Sequence, residues 1–327
     1  MRNSYILYSR SVLRGFRRVS NMALCAVPVA RQVLRGSAVV FLYHEVSDNP
    51  SQFNEMFDLN VAPSVFRWQL DLIGEYFNFI DPGQLLSGDY PTPAALVTFD
   101  DGNLSYFREA LPILKKKGIP SVMFLNMGPI KGEACWSGLV TFLQYCEVGF
   151  YEGRRLREGD FIGFSESEVS NYLDSVDRER LLEGVRSFRG VIASEGDVDA
   201  VSREPLVYLG NHLYNHYNTM TLSKERLKEE YWRNQRILDA HPRGARLFSY
   251  PFGQPVTCYN EETTRLILKE GAQAIFSAYS LPNFKRRGIF YNRVPMTEAV
   301  RNARDLYRSI MVNYLTAKIR PRSAALV

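Results

Sequence analysis

The chain has 327 residues, 46% of them hydrophobic and 23% charged, a balance that excludes overall disorder and allows a full core. No run approaches the roughly 18 apolar residues that mark a membrane span. The net charge is +5, yet residues 1–36 carry seven arginines and no acidic residue. The remainder is therefore at −2, which excludes a basic nucleic-acid-binding body.

In chain order, residues 1–36 read as a basic N-terminal tail. Arg10, Arg14 and Arg18 share one helical face, and Val12, Phe16, Val19 and Ala23 share another. Such a basic amphipathic helix suits peripheral contact with an anionic membrane surface. A solvated tail is the alternative, and an organelle transit peptide a further one. Pro28 cuts short the apolar patch Met22 to Val27, so there is no clear export signal. The expected place is cytoplasmic, at the inner face of the membrane, with export left open. Cys25, Cys135, Cys146 and Cys258 form no CxxC pair and read as reduced thiols.

Ala38 to Tyr43 is an apolar run that ends at His44-Glu45, a buried strand with a polar tip. A helix is expected from Ser64, with Phe66, Leu70, Ile73 and Phe77 on one face, then a short strand from Asn78 to Asp81. Leu96 to Phe99 is a strand that stops at two adjacent carboxylates, Asp100 and Asp101, followed by Gly102. Leu104, Phe107, Leu111 and Leu114 repeat at helical spacing, with a kink expected at Pro112 and an end at Gly118. Ile119 to Leu125 is the next strand. Strand and helix alternate, which predicts parallel βαβ units.

Residues 126–205 break that rhythm. Trp136 to Cys146 and Glu166 to Phe188 read as helical, so a helical insertion that caps the site is expected, with Trp136 shaping the cleft. The alternation resumes with a strand at Leu206 to Leu209 and a helix from Ser223, its N-cap, to Ala240. A strand from Leu247 to Tyr250 then runs into Pro251-Phe252-Gly253. Further elements are a helix from Glu261 to Lys269, strands at Ala274 to Ala278 and Ile289 to Val294, and a last helix from Thr297 to about Lys318. Residues 37–318 thus form one α/β barrel and 319–327 a C-terminal tail.

Two adjacent carboxylates repel unless a cation or a shared proton lies between them. Taken alone, the Asp-Asp-Gly stretch is equally a turn. His212 and His216 follow a predicted strand end four residues apart, and one helical turn or a tight loop puts both imidazoles on one side. Two histidines with one carboxylate leave metal positions open for water and substrate. In parallel barrels the strand C-termini gather on one face, so the segments ending at Gly102, His216 and Gly253 converge there.

These segments carry a resemblance. TFDDG at Thr98–Gly102, GNHLYNH at Gly210–His216 and YPFG at Tyr250–Gly253 resemble polysaccharide deacetylases of the NodB-homology type, carbohydrate esterase family 4. Ala110–Leu125 follows that family's helix-and-strand pattern. FLYHEV at Phe41–Val46 is similar to the YHxV opening of the branch that includes poly-N-acetylglucosamine deacetylases. The likeness spans about residues 38–295, outside the insertion. It implies a distorted (β/α) barrel with a helical insertion and metal-dependent removal of an acetyl group from an N-acetylated sugar. The substrate would be a polymer, a lipid-linked sugar or a nucleotide-linked sugar in bacterial surface-glycan or glycolipid assembly.

By the same resemblance, Asp101, His212 and His216 are the ligands of one divalent ion, zinc first among candidates. Asp100 is the general base, the backbone N–H of Phe252 the oxyanion contact, and His44 the general acid. The family's third motif carries arginine two residues before its proline, where this chain has Ser249. Its Asp-Trp motif and late Leu-x-His are also missing. Arg293 is expected to take over the orienting of Asp100. Alternatives of the same scaffold are O-acetyl ester hydrolysis and a glycan-binding barrel with little turnover.

Overall fold

The computed structural model describes residues 27–143, 178–284 and 287–314, with residues 150–151, 154–155, 163, 165–167 and 317. The amphipathic helix expected before residue 27, the C-terminal tail and parts of the insertion lie outside the described residues. Eight parallel strands make the central sheet: β1 (Ala38–Tyr43), β2 (Ala94–Phe99), β3 (Ser121–Leu125), β4 (Val207–Asn211), β5 (Gly244–Ser249), β6 (Ala274–Phe276), β7 (Phe290–Tyr291) and β8 (Arg293–Pro295). They neighbour one another in the order β7-β6-β5-β4-β3-β2-β1-β8, and Asn78–Phe79 adds a short parallel partner to β2.

The two ends of that order, β7 and β8, are consecutive in the chain with only Asn292 between them. One extended segment thus pairs with β6 on one side and β1 on the other, and this nearly closes a barrel. Asn283 pins the seam. Its side chain donates to the carbonyls of Ala38 (3.2 Å) and Asn292 (3.0 Å) and accepts from the Asn292 N–H (2.8 Å). Its backbone exchanges two further bonds with Ala38.

Alternation along each strand sorts the core. Ala38, Val40, Ala94, Leu96, Val122, Phe124, Leu247 and Phe276 fill the barrel, which Ile80, Leu85 and Tyr90 plug. Val39, Phe41, Ala95, Val97, Met123 and Leu209 face a separate cluster that includes Phe66, Leu70 and Ile73 of the helix Pro63–Tyr76. That helix starts at Pro63, where proline's missing N–H costs no helical hydrogen bond. Ser223 caps the helix Lys224–Leu238, accepting from the Arg226 N–H at 3.1 Å.

Several elements differ from expectation. Residues 27–34, read as tail, form a helix whose Ala30 and Leu34 are buried against Leu306 and Ile310 of the helix Ala303–Met311. The folded body therefore includes them: two small apolar anchors outweigh the arginines around them. The segment before Pro112 is a π-helical turn, Tyr106–Ala110, continuous with the helix Leu111–Lys117. Proline cannot donate, and the wider turn accommodates it without a break. The last helix starts at Ala303, later than predicted, because Asn302 caps it, accepting from the Asp305 N–H at 3.1 Å.

The insertion lies in the crossover between the neighbouring strands β3 and β4. Its described parts include the helices Trp136–Phe142 and Arg178–Arg189, packed through Phe142 and Phe188 (ring centroids 5.7 Å apart). Among the described residues, no helix is long and apolar enough to cross a membrane.

Candidate active site

The parity that fills the barrel also builds its upper end. Leu96, Thr98 and Asp100 are successive inward positions of β2, as Leu247 and Ser249 are on β5. Gly210 of β4 is inward as well: a Cβ there would lie 2.5 Å from the Phe124 ring, so glycine lets the ring fill the space below the next inward residue, His212. Arg293 on β8 completes the layer and is fully buried.

All five N–H donors of Arg293 are used. Nε donates to the Ser277 carbonyl (2.8 Å). Nη1 reaches Asp100 Oδ1 (2.7 Å) and Thr98 Oγ1 (3.4 Å), and Nη2 reaches Asp100 Oδ2 and Ser249 Oγ (2.6 Å each). This is a two-pronged grip on the carboxylate, the strongest form of the pair. Ser249, which stands where an arginine was expected, is thus itself in the network. Burial alone would raise the pKa of Asp100, but Arg293, and then His212, hold it below the ordinary carboxylate range.

Asp101 departs from the strand. Its φ of 75° lies in the left-handed region, as do those of His216 (63°), Leu213 (59°) and Phe252 (59°). Such conformations cost about 1–3 kcal/mol each in non-glycine residues and cluster where function demands them. Burial opposes the charge of Asp101, yet Arg189, and then His216, keep its pKa well below the usual range. Arg189 Nη2 donates to Oδ2 at 2.6 Å. Oδ1 is buried with no hydrogen-bond partner, 3.2 Å from His216 Nε2 and 3.5 Å from His212 Nε2.

The two histidines lie on a loop rather than a helical turn, because the left-handed residues Leu213 and His216 interrupt any helix. Asn126, at the end of β3, donates to the carbonyls of His212 and Leu213. Glu230 accepts from the Asn215 N–H at 2.8 Å. His212 Nδ1 donates to the Ser249 carbonyl (2.8 Å), which turns Nε2 toward Asp101. Burial lowers the pKa of His216, against the pull of Asp101.

The donor atoms of Asp101, His212 and His216 lie within 4.8 Å of one another. One carboxylate oxygen lacking any hydrogen bond and two imidazole nitrogens are a donor set that fits a divalent cation.

His44 follows β1 and is half-buried. Burial lowers its pKa, while the nearby charges of Asp101 and Asp100 raise it. Phe252 sits on the face of His216, ring centroids 4.9 Å apart. The Gly253 N–H bonds to the Pro251 carbonyl (2.7 Å) across it, a tight three-residue turn. Gly253 also has positive φ (60°), and a Cβ there would lie 2.5 Å from the Ala278 nitrogen. Trp136 is buried against Tyr217 (4.6 Å) and lines a cavity of about 830 Å³ between the insertion and the loop after β4, with Leu139, Val185, Arg189 and Asn215.

Sequence reading had no place for Arg189, Asn103 or Glu230. Arg189 lies among other arginines of a charged helix and is 88 residues from its partner. Glu230 carried a signal: it falls on the buried stripe of its helix with Leu227, Asn234 and Leu238, where an apolar residue is expected.

A parallel barrel that gathers two carboxylates and two imidazoles at its strand ends is built as a hydrolase. A family model described as polysaccharide deacetylase matches residues 87–275, more than half of the chain, and the chain belongs to that family. It is accordingly an enzyme that deacetylates carbohydrate. The match takes in Asp100, Asp101, His212, His216 and Phe252, while His44 and Arg293 lie outside it. No curated protein sequence matches the chain significantly.

Solved structures with the same fold include IcaB from Ammonifex degensii (21% identity, TM-score 0.55, covering 84% of this chain and 97% of that one). Others are the Streptococcus pyogenes deacetylase PplD in complex with acetate (15%, 0.53, 84% and 99%) and a de-N-acetylase from Aggregatibacter actinomycetemcomitans (16%, 0.54, 82% and 97%). At these identities the likeness is one of fold.

Proposed function

We propose that the chain removes the acetyl group from an N-acetylated sugar of a surface polysaccharide or glycolipid, using one divalent cation, zinc, held by Asp101 Oδ1 and the Nε2 atoms of His212 and His216. The observation that carries this reading is the buried, unpartnered Asp101 Oδ1 facing two imidazole nitrogens. A cation there supplies Lewis acidity toward the amide carbonyl and lowers the pKa of a bound water.

The protein's own groups do the rest. Asp100, kept ionised and oriented by Arg293, takes a proton from the attacking water. The Phe252 N–H donates to the oxygen that gains charge as the carbonyl becomes tetrahedral. His44 is the general acid: charged with the proton that Asp100 has taken from the water, it delivers that proton to the leaving nitrogen. Amine departure needs that proton, since an amide anion is a very poor leaving group. The names of the structural neighbours support the reading: one is described as a de-N-acetylase, another as a deacetylase bound to acetate. The seven arginines and lack of acidic residues in residues 1–36 support peripheral contact with an anionic membrane surface, where lipid-linked or nascent glycan is at hand.

The test is acetate release from an N-acetylglucosamine oligomer in the presence of zinc, beside an O-acetylated sugar of the same size. Release from the N-acetyl substrate, lost in Asp100→Asn, is expected. Release from the O-acetyl sugar alone would overturn the choice of bond.

A further inference from the structure

The two aspartates each have a private arginine, and the two arginines come from different parts of the fold. Arg293 belongs to the barrel. Arg189 ends the insertion helix Arg178–Arg189 and is 2% exposed. Its Nη2 takes Asp101 Oδ2 (2.6 Å) and its Nη1 takes Asn103 Oδ1 (3.0 Å). The guanidinium lies over the Phe53 ring, 4.5 Å from its centroid. Its stem runs beside Gly138, where a Cβ would come within 3.2–3.3 Å of it. Its own Nε is buried without a hydrogen-bond partner. The placement thus serves Asp101 and Asn103 at the expense of the arginine's Nε donor.

We propose that Arg189 is a positioning residue for the cation site: it occupies one oxygen of Asp101 and cancels its charge, so Asp101 enters the site as a one-oxygen, charge-compensated ligand. This rests on the cation-site reading above. Two consequences follow from the chemistry. With Oδ2 engaged, Asp101 cannot chelate through both oxygens, and positions stay open for water and substrate. With its charge balanced, the carboxylate donates less to the cation, which remains a stronger Lewis acid and is bound less tightly. The insertion therefore contributes a side chain to the barrel's reactive centre.

The sign of the change in affinity separates this role from a merely structural one. Zinc binding to the metal-free chain is measured by calorimetry for wild type, Arg189→Gln, Arg189→Lys and Asp101→Ala. Arg189→Gln is expected to bind zinc tighter by about tenfold or more, the scale of one charge removed beside a buried ion. Arg189→Lys, which keeps the charge, is expected to stay within about threefold of wild type. With cobalt(II) as the probe, Arg189→Gln should show weaker visible absorption than wild type, because Asp101 can now supply its second oxygen. If Arg189→Gln does not fold, Arg189→Met, which keeps the apolar stem, takes its place.

Unchanged or weaker zinc binding in the uncharged variant, with Asp101→Ala still abolishing binding, overturns the role of Arg189 alone. Binding that survives Asp101→Ala overturns the cation-site reading and this proposal with it.

Discussion

Asp100 and Asp101 are neighbours in sequence with opposite surroundings. Strand parity turns Asp100 into the barrel, where both its oxygens are gripped by Arg293. A positive φ turns Asp101 out toward the two histidines with one oxygen unclaimed. On the proposed division of labour, Asp101→Ala loses bound zinc. Asp100→Asn keeps zinc and loses about 10²–10⁴-fold in turnover, the usual worth of a general base. Metal content by atomic absorption and acetate release check the two together; a metal-free Asp100→Asn protein contradicts the division. Arg293→Ala leaves a buried carboxylate unpaired, so a stability loss of about 3–5 kcal/mol in urea titration is expected. Asp101, His212 and His216 were legible in the sequence because residue type, spacing and strand-end position agree. Arg189 was not, since nothing local distinguishes it from Arg186 three residues before it. Its partner is set by how the insertion folds back on the barrel.

At the scale of elements, the helix Lys224–Leu238 braces the histidine loop. Asn234 donates to the Leu125 carbonyl (2.8 Å) and to Asn211 Oδ1 (2.9 Å), and Glu230 holds the Asn215 N–H. Burial pushes the Glu230 carboxyl up to about 7, against the Asn215 N–H and Arg226, which pull it down. The folded state therefore holds this proton more tightly than the unfolded chain does. Stability from this group is full below about pH 4.5, falls as pH rises, and levels off above about pH 7, with a total near 3 kcal/mol. Glu230→Gln should remove that slope in urea titrations across pH 4.5–7.5; an identical slope in wild type and variant would contradict it. The helix and its Ser223 cap were readable from spacing and residue type. The conformation of the loop it braces was not, because leucine and histidine do not announce positive φ.

For the whole molecule, the parallel barrel was legible because each strand is a short apolar run and each crossover carries a helical pattern. Its closure was not legible, since β7 and β8 read as one strand from Ile289 to Val294. The split at Asn292 is visible only in which neighbour each half pairs with. Asn283 stabilises this seam with three side-chain hydrogen bonds, and it is 8% exposed. Asn283→Ala should cost about 2–3 kcal/mol, the net worth of those bonds, and lower the melting temperature by several degrees. A thermal melt within one degree of wild type would show that the seam holds without it.

The position of Arg293 has a consequence for the chain as it is made. Asp100 leaves the ribosome 193 residues before Arg293, whose guanidinium grips both its oxygens. Until β8 arrives, β1 has an open edge and Asp100 lies in an apolar barrel without the counter-charge of Arg293. Closing the barrel and pairing Asp100 with its arginine are therefore one event. A chain cut before residue 293 leaves the β1 edge open and this buried carboxylate without Arg293. Thus a single strand of three residues both seals the sheet and balances the charge inside it.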